Sequence, residues 1–370
     1  MIETISKISY IHYNPVEIIS GIDLISSHLC KLVPVEGQLL LVTTAGFTKR
    51  GITEKIIKEL GESRVLVYDE VVSNPELDGL DLATARFNGN KICYIIGVGG
   101  GSVIDTAKVL AMTLCSDLSR PLHQILRHKQ TVNSNISLPV VAIPTTSGTG
   151  AEVTPFATIW DNSTHEKHSL IGLNIYPRHA LLDPELTLSL PIRDTLYTAL
   201  DAVSHALESL WNKNRTTISE AYAIQSLMLA NETLPALLKD LKNIELRRKM
   251  QQSSMLAGLA ISYTKTAIAH SISYPLTSHF NVPHGLACGF TLPGLIERYM
   301  LNLQDGIEKQ VIMSTYTILQ ELKLKQEISK FIKCNESLDY INDMFHPDRA
   351  NNYVDDISKE DVVTLLKQSI

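Results

Sequence analysis

The sequence predicts an α/β half followed by an all-α half. Two observations carry this. Up to about residue 190, short apolar runs alternate with helix-periodic segments, the pattern of a parallel sheet covered by helices. From residue 191 the segments are long and helix-periodic, with no convincing strand between them. At 370 residues the chain also exceeds one comfortable core, so two domains, 1–190 and 191–370, are expected.

In chain order, "GQLLLVTT" (37–44) reads as a buried strand, and "TKRGITEKIIKELG" as a helix that ends at Gly61. "SRVLVYDEV" is a second strand. "KICYIIGVGGG" is a third and opens into the helix "SVIDTAKVLAMTL", and "LPVVAIPTT" is a fourth. In the second half, "DTLYTALDAVSHALESLWN", "TISEAYAIQSLMLANETLPALLKDL" and "ELRRKMQQSSMLAGLAISYT" read as helices.

Composition excludes several classes. A hydrophobic fraction of 44% with 19% charged residues is that of an ordinary globular chain, and the net charge of −6 argues against nucleic acid or an anionic membrane as main partner. The start, "MIETISKISY", lacks a basic segment leading into an apolar run, so no signal peptide is expected. No run of about 20 apolar residues is present to span a membrane. Five widely spaced cysteines without a CxxC pair read as reduced thiols, and a cytoplasmic location is expected.

Three stretches carry chemistry. "YIIGVGGGSVIDTAK" places Gly97, Gly99, Gly100 and Gly101 directly after a strand, with Ser102 positioned to N-cap the following helix. Glycines admit a diphosphate closely and free N–H groups at a helix start favour negative charge, although a structural turn uses the same residues. It is not the first-strand GxGxxG pattern. "PTTSGTGAEVTPFATIW" offers Thr145, Thr146, Ser147 and Thr149 where ligands of open α/β sheets bind. A long turn with hydroxyl-to-backbone bonds is the alternative.

The third is "LDAVSHALE", with Asp201 and His205 one helical turn apart. Alone, such a pair is usually a solvated polar face. His270 and His284 complete three nitrogens and one carboxylate, a donor set for Fe(II), Zn(II) or a neighbouring divalent ion. Pro283 and Gly285 read as a rigid turn around His284. His279 competes, as do His165, His168 and His179 in the other half.

Together these parts resemble the iron-containing (group III) alcohol dehydrogenase family over nearly the whole chain. The matching stretches are "SNPE" (73–76), "GVGGGSVIDTAK", "IPTTSGTGAEVT", "LLDPELTLSLP", "LDAVSHALE" and "NVPHGLACGFTLP", in that order. The resemblance implies a Rossmann-like dinucleotide-binding domain followed by a helical catalytic domain, a dehydroquinate synthase-like architecture. It implies Asp201, His205, His270 and His284 as metal ligands. It also implies Gly99, Gly100, Gly101, Ser102, Asp105, Thr145, Thr146, Ser147 and Thr149 as cofactor-binding positions, with Asn74 near the cofactor. A homodimer is implied as well.

Two departures matter. Many members carry an acid where Thr44 stands here, in a position to bond the adenosine ribose. Its loss, with Lys49 and Arg50 nearby, leads us to expect NADPH to be accepted alongside NADH. The family pattern after the third ligand is H-x-x-x-H-P, whereas this chain reads "HSISYP", so Tyr274 stands where a proton-handling histidine is usual. A phenol with a pKa near 10 is not the same shuttle at neutral pH, but it relays or orients through its hydroxyl; a packing role is the alternative.

"YTKTAIAHSISYPLTSHFNVPHG" resembles the phosphonate-associated branch, whose members reduce phosphonoacetaldehyde to 2-hydroxyethylphosphonate. Lys265, flanked by Thr264 and Thr266, suits the anionic end of such an aldehyde; an exposed surface lysine is the alternative. The expected reaction is hydride transfer from a reduced nicotinamide to the aldehyde, with the metal as Lewis acid. Sulfoacetaldehyde and lactaldehyde are rival substrates, and a non-catalytic nucleotide-binding homologue is the reading from another class.

Overall fold

A computed structural model describes residues 9–130, 136–164 and 166–370; most of the stretch on which the signal-peptide expectation rests lies outside these. The chain divides into two compact units. One comprises residues 14–146 and 151–187; the other is residues 188–370 joined by 147–150 and 9–13. The division thus falls three residues before the expected boundary at 190, and the loop Ser147–Gly150 belongs with the helices.

The first unit is built on strands β1 (Glu17–Ser20), β2 (Gln38–Val42), β3 (Val65–Tyr68), β4 (Ile92–Gly99) and β5 (Val140–Pro144), the pair β6 (Phe156–Asp161) and β7 (Glu166–Ile171), and β8 (His179–Leu182). Six of them form one parallel sheet in the order β1-β8-β5-β4-β2-β3, and β6 and β7 form a separate antiparallel pair. The sequence "QLLLV" shows why β2 is central. Leu39 and Leu41 enter one apolar cluster while Leu40 and Val42 enter another on the opposite face. A strand covered on both faces is apolar at every position rather than at alternate ones.

The four expected strands are β2 to β5. The structure adds β1 and β8 to the sheet. Each is four residues long and opens on a titratable residue, Glu17 or His179, which masks it in the sequence. The ends of β4 and β5 are tied by Thr145 N–H donating to Gly99 C=O at 3.0 Å. The helix α1 (Gly101–Thr113) follows β4 directly.

The second unit is helical. Its central members are α2 (Ile192–Leu210), α3 (Thr217–Leu237), α4 (Ile244–Thr264), α5 (Ile268–Phe280) and α6 (His284–Gly289), followed by further helices. The three expected helices are α2, α3 and α4. Start signals explain two of them: Thr216 and Ser219 form a capping box before α3, and Asn243 Oδ1 accepts from Leu246 N–H at the start of α4. One apolar cluster runs through the unit and includes Leu200, Leu207, Leu227, Ile272, Leu286 and Phe290. Helix α6 lies so close to α2 that a Cβ on Gly285 would sit 1.8 Å from Tyr197 O. Among the described residues, no helix is long and apolar enough to cross a membrane.

Candidate metal centre and glycine loop

Helix α2 presents Asp201, His205 and Glu208 on successive turns, all buried. The spacing seen in "LDAVSHALE" therefore forms an inward-facing stripe. Asp201 Oδ1 is the hub. His205 Nε2 and His270 Nε2 each lie 3.5 Å from it and His284 Nε2 lies at 3.9 Å. His270 comes from the first turn of α5, and His284 is the first residue of α6, aimed by its N-cap Pro283. The His205 and His270 rings stack with centroids 4.7 Å apart.

Three atoms here, Asp201 Oδ1, His205 Nδ1 and His270 Nε2, are buried without a hydrogen-bond partner. Burial disfavours the Asp201 carboxylate, but the imidazoles around it outweigh that effect and hold its carboxyl well below the ordinary range. Burial pushes His205 down to about 4, against the pull of Asp201, so it is neutral at pH 7 and offers a lone pair.

Two further residues adjoin the centre, and neither is singled out by the sequence. Glu208, fully buried, accepts from the His270 backbone N–H at 3.2 Å through Oε1 and contacts the His270 ring at Nδ1 through Oε2. That fixes the ring and turns Nε2 toward Asp201. Its signal was the i+7 position after Asp201. Cys288, one turn after His284 on α6, places Sγ 3.7 Å from both ring nitrogens of His284. Asp201, His270, His284 and Cys288 offer donor atoms all within 4.8 Å of one another, a group that does not include His205.

The competing histidines are engaged elsewhere. His279 stacks on Tyr340, His168 lies beside Glu166, and His179 beside Glu17; His165 is outside the described residues. Lys265 is exposed and caps the end of α4 with φ 62° and ψ 179°; its C=O accepts from Asn212 Nδ2. The Tyr274 hydroxyl accepts from Arg349 Nε at 3.0 Å.

In the other unit, Gly99, Gly100 and Gly101 form the turn from β4 into α1. A Cβ on Gly99 would lie 2.4 Å from Val103 Cγ2, so this position admits only glycine. The expected cap is corrected: Gly100 is the N-cap and Ser102 lies inside the first turn, where its Oγ accepts from Asn74 N–H at 3.3 Å. Asn74 adopts φ 57° to reach it. Asp105 is turned to the β6 segment, with Oδ2 accepting from Thr158 N–H at 2.9 Å. Thr146 flanks Gly100, and Thr44 is the N-cap of the short helix Ala45–Lys49. Ser147 and Thr149 belong to the loop that packs on the helical unit. There, added Cβ atoms on Gly148 and Gly150 would lie 2.6 Å from Thr198 O and 2.5 Å from Gly258 Cα.

Residues 15–184 match the family description "Iron-containing alcohol dehydrogenase", and residues 195–370 match "Fe-containing alcohol dehydrogenase family, C-terminal". The chain belongs to the iron-containing alcohol dehydrogenase family. It is therefore an oxidoreductase of the alcohol and aldehyde class. It is 31% identical over 288 residues to the sulfoacetaldehyde reductase of Bilophila wadsworthia, covering 77% of this chain and 73% of that one. It is 36% identical over 207 residues to the phosphonoacetaldehyde reductase of Streptomyces viridochromogenes, covering 55% of this chain and 52% of that one. The crystal structure of sulfoacetaldehyde reductase from Bifidobacterium kashiwanohense in complex with NAD+ superposes with a TM-score of 0.86 at 25% identity, covering 98% of each chain.

The centre fits the iron of an iron-containing alcohol dehydrogenase. Donors bound to one ion at 2.0–2.2 Å in a tetrahedron are separated by about 3.4 Å. The 3.5 Å spacings from Asp201 Oδ1 match that edge, and an ion at their focus satisfies two of the orphaned atoms, Asp201 Oδ1 and His270 Nε2.

Proposed function

We propose that this protein is a metal-dependent, NAD(P)H-linked reductase of a small anionic aldehyde, with phosphonoacetaldehyde, reduced to 2-hydroxyethylphosphonate, as the substrate. The observation that carries the reading is the convergence of Asp201, His205, His270 and His284 on one carboxylate oxygen whose hydrogen-bonding capacity is unused. These four residues hold a divalent ion. When bound, the ion supplies Lewis acidity to a carbonyl oxygen, and a reduced nicotinamide supplies the hydride.

The chain's own residues do the rest. Glu208 keeps the His270 ring in one orientation, so the donor is in place before substrate arrives. The N–H groups at the start of α1 and the glycines before it admit a cofactor diphosphate. Thr44 places no carboxylate against a 2′-phosphate, and Lys49 and Arg50 are exposed nearby, so NADPH is accepted beside NADH. The Tyr274 phenol, accepting from Arg349, is set to donate its proton to the alkoxide that hydride addition leaves. Lys265 anchors the anionic end of the aldehyde.

The phosphonate reading is supported by the 36% identical relative, and sulfoacetaldehyde is the second reading, supported by the two sulfoacetaldehyde reductases. Protein purified anaerobically with Fe(II) should oxidise NADH and NADPH in the presence of phosphonoacetaldehyde. A kcat/KM at least tenfold above that for sulfoacetaldehyde, about 1.4 kcal/mol, is the expected result. The opposite order moves the assignment to the sulfonate, and a preference for neutral lactaldehyde removes the anionic aldehyde altogether.

A further inference from the structure

We propose that Arg349 binds the anionic group of the aldehyde through its guanidinium fork, acting with the Lys265 ammonium as a two-cation clamp beside the metal centre. This rests on the anionic-aldehyde reading above and adds to it the residue that sets the substrate class.

Tyr274 follows His270 by one helical turn on α5, so the two side chains share a face. Arg349 Nε donates to the Tyr274 hydroxyl at 3.0 Å, and the His346 ring meets the Tyr274 ring edge-on with centroids 6.2 Å apart. The guanidinium is therefore fixed over the turn that follows a metal ligand. An aldehyde whose carbonyl oxygen faces the metal centre places its anionic end at that remove. The oxygens at the two ends of a two-carbon phosphonate are about 5 Å apart, and one helical turn rises about 5.4 Å.

The segment that carries Arg349 is pinned to this part of the unit. Ser271, next to His270, donates through Oγ to Met344 O at 2.6 Å and accepts from His346 N–H at 2.9 Å. Farther along, Asn352 Nδ2 donates to Thr266 O at 2.8 Å, and Asn352 C=O accepts from Lys213 N–H at 2.8 Å. Arg349 and Lys265, distant in sequence, thus stand on two backbone stretches that are hydrogen-bonded to each other. Both side chains reach solvent, Lys265 exposed and Arg349 half-buried, whereas His270 beneath them is buried.

Charge and shape select the ligand. A phosphoryl-type group carries about −1.5 to −2 charge at neutral pH, which one ammonium does not balance. A guanidinium adds the second positive charge and a planar fork that meets two oxygens at once, a geometry that lysine lacks. A neutral aldehyde uses neither. If Arg349 served only to orient Tyr274, its loss would slow every aldehyde equally, because proton delivery to the alkoxide is common to all of them.

The test compares substrates and adds a binding measurement that needs no turnover. Full-length wild type, Arg349→Gln and Arg349→Lys, loaded anaerobically with Fe(II), are assayed with phosphonoacetaldehyde and with neutral propionaldehyde. Binding of ethylphosphonate, an unreactive analogue, is followed by calorimetry. In Arg349→Gln the ratio of kcat/KM for the anionic aldehyde to that for the neutral one should fall at least tenfold, and the Kd of ethylphosphonate should rise by a similar factor. Arg349→Lys restores the charge without the fork and should lie between the two. Equal losses on both aldehydes with an unchanged Kd overturn the proposal and leave Arg349 as a positioning residue for Tyr274. A ratio and Kd in Arg349→Lys equal to those of the wild type also overturn it, so a glutamine variant that folds poorly does not shelter the idea. A wild type that neither prefers the anionic aldehyde nor binds ethylphosphonate overturns the anionic-aldehyde reading and this inference with it.

Discussion

Lys265 adopts φ 62° and ψ 179°, a backbone region that is essentially reserved for glycine and costs on the order of 1–3 kcal/mol for other residues. Such strain persists where the side chain is needed. Lys265→Gly should therefore raise stability by about 1 kcal/mol in thermal unfolding. The same variant should lower kcat/KM for an anionic aldehyde much more than for a neutral one of similar size. Unchanged stability would dispose of the strain argument, and equal kinetic losses would remove the lysine from the substrate site. Glu208 is the other residue whose role follows from contacts alone. Glu208→Gln should weaken metal affinity about 10- to 100-fold, read by chelator competition, because the His270 ring loses its fixed orientation. At this scale the sequence was partly legible. Asp201 and His205 stand out because helical spacing is local. Glu208 lies on the same stripe, yet nothing local says which ring it will meet. Cys288 meets His284 through i, i+4 spacing on α6, but it approaches Asp201 only when α6 is laid on α2, which no spacing encodes.

Strands were legible where apolar residues run together, whatever their length, since β3 is as short as β1 and β8. Strands β2 to β5 each begin or continue a run of apolar residues and were read from it. The four-residue strands β1 and β8 depend on pairing partners far along the chain, Glu17 with His179 through Ser20 with Leu182. Likewise "AHSISYPLTSHFNVPHG" hides a helix, α5, that continues through Pro275 and stops at Asn281, which takes φ 53°. The turn expected around His284 is instead the start of α6. What seats α6 is Gly285. Gly285→Ala should cost more than about 3 kcal/mol, because the clash is with backbone that cannot step aside. A melting temperature equal to that of the wild type would show that α6 and α2 separate more readily than their packing implies.

For the molecule as a whole, the buried ionisable group near α1 sets a pH response. Lys108 Nζ donates to Thr154 O at 3.0 Å and Phe156 O at 2.9 Å, 4.0 Å from Asp105 Oδ1, so a helix and the β6 segment are joined through one ammonium. Burial pushes it down to about 8 from 10.5 and pushes the neighbouring Glu152 up to about 7 from 4.5. For Glu152 the folded state keeps a proton that the unfolded chain gives up. Its favourable contribution is whole below pH 4.5 and declines as pH rises to about 7. For Lys108 the unfolded chain binds the extra proton, so stability rises with pH between about 8 and 10.5. Glu152→Gln should thus gain on the wild type in melting temperature from pH 5 to pH 7.5. A constant difference across that range would mean that Glu152 is charged throughout. The first unit also begins and finishes at one edge of its sheet, since β1 and β8 are neighbours. For gene fusion this makes it a nearly portable cassette. A hybrid of two relatives needs junctions near residues 14 and 187, plus one provision: the four residues Ser147–Gly150 must come from the parent that supplies the helices.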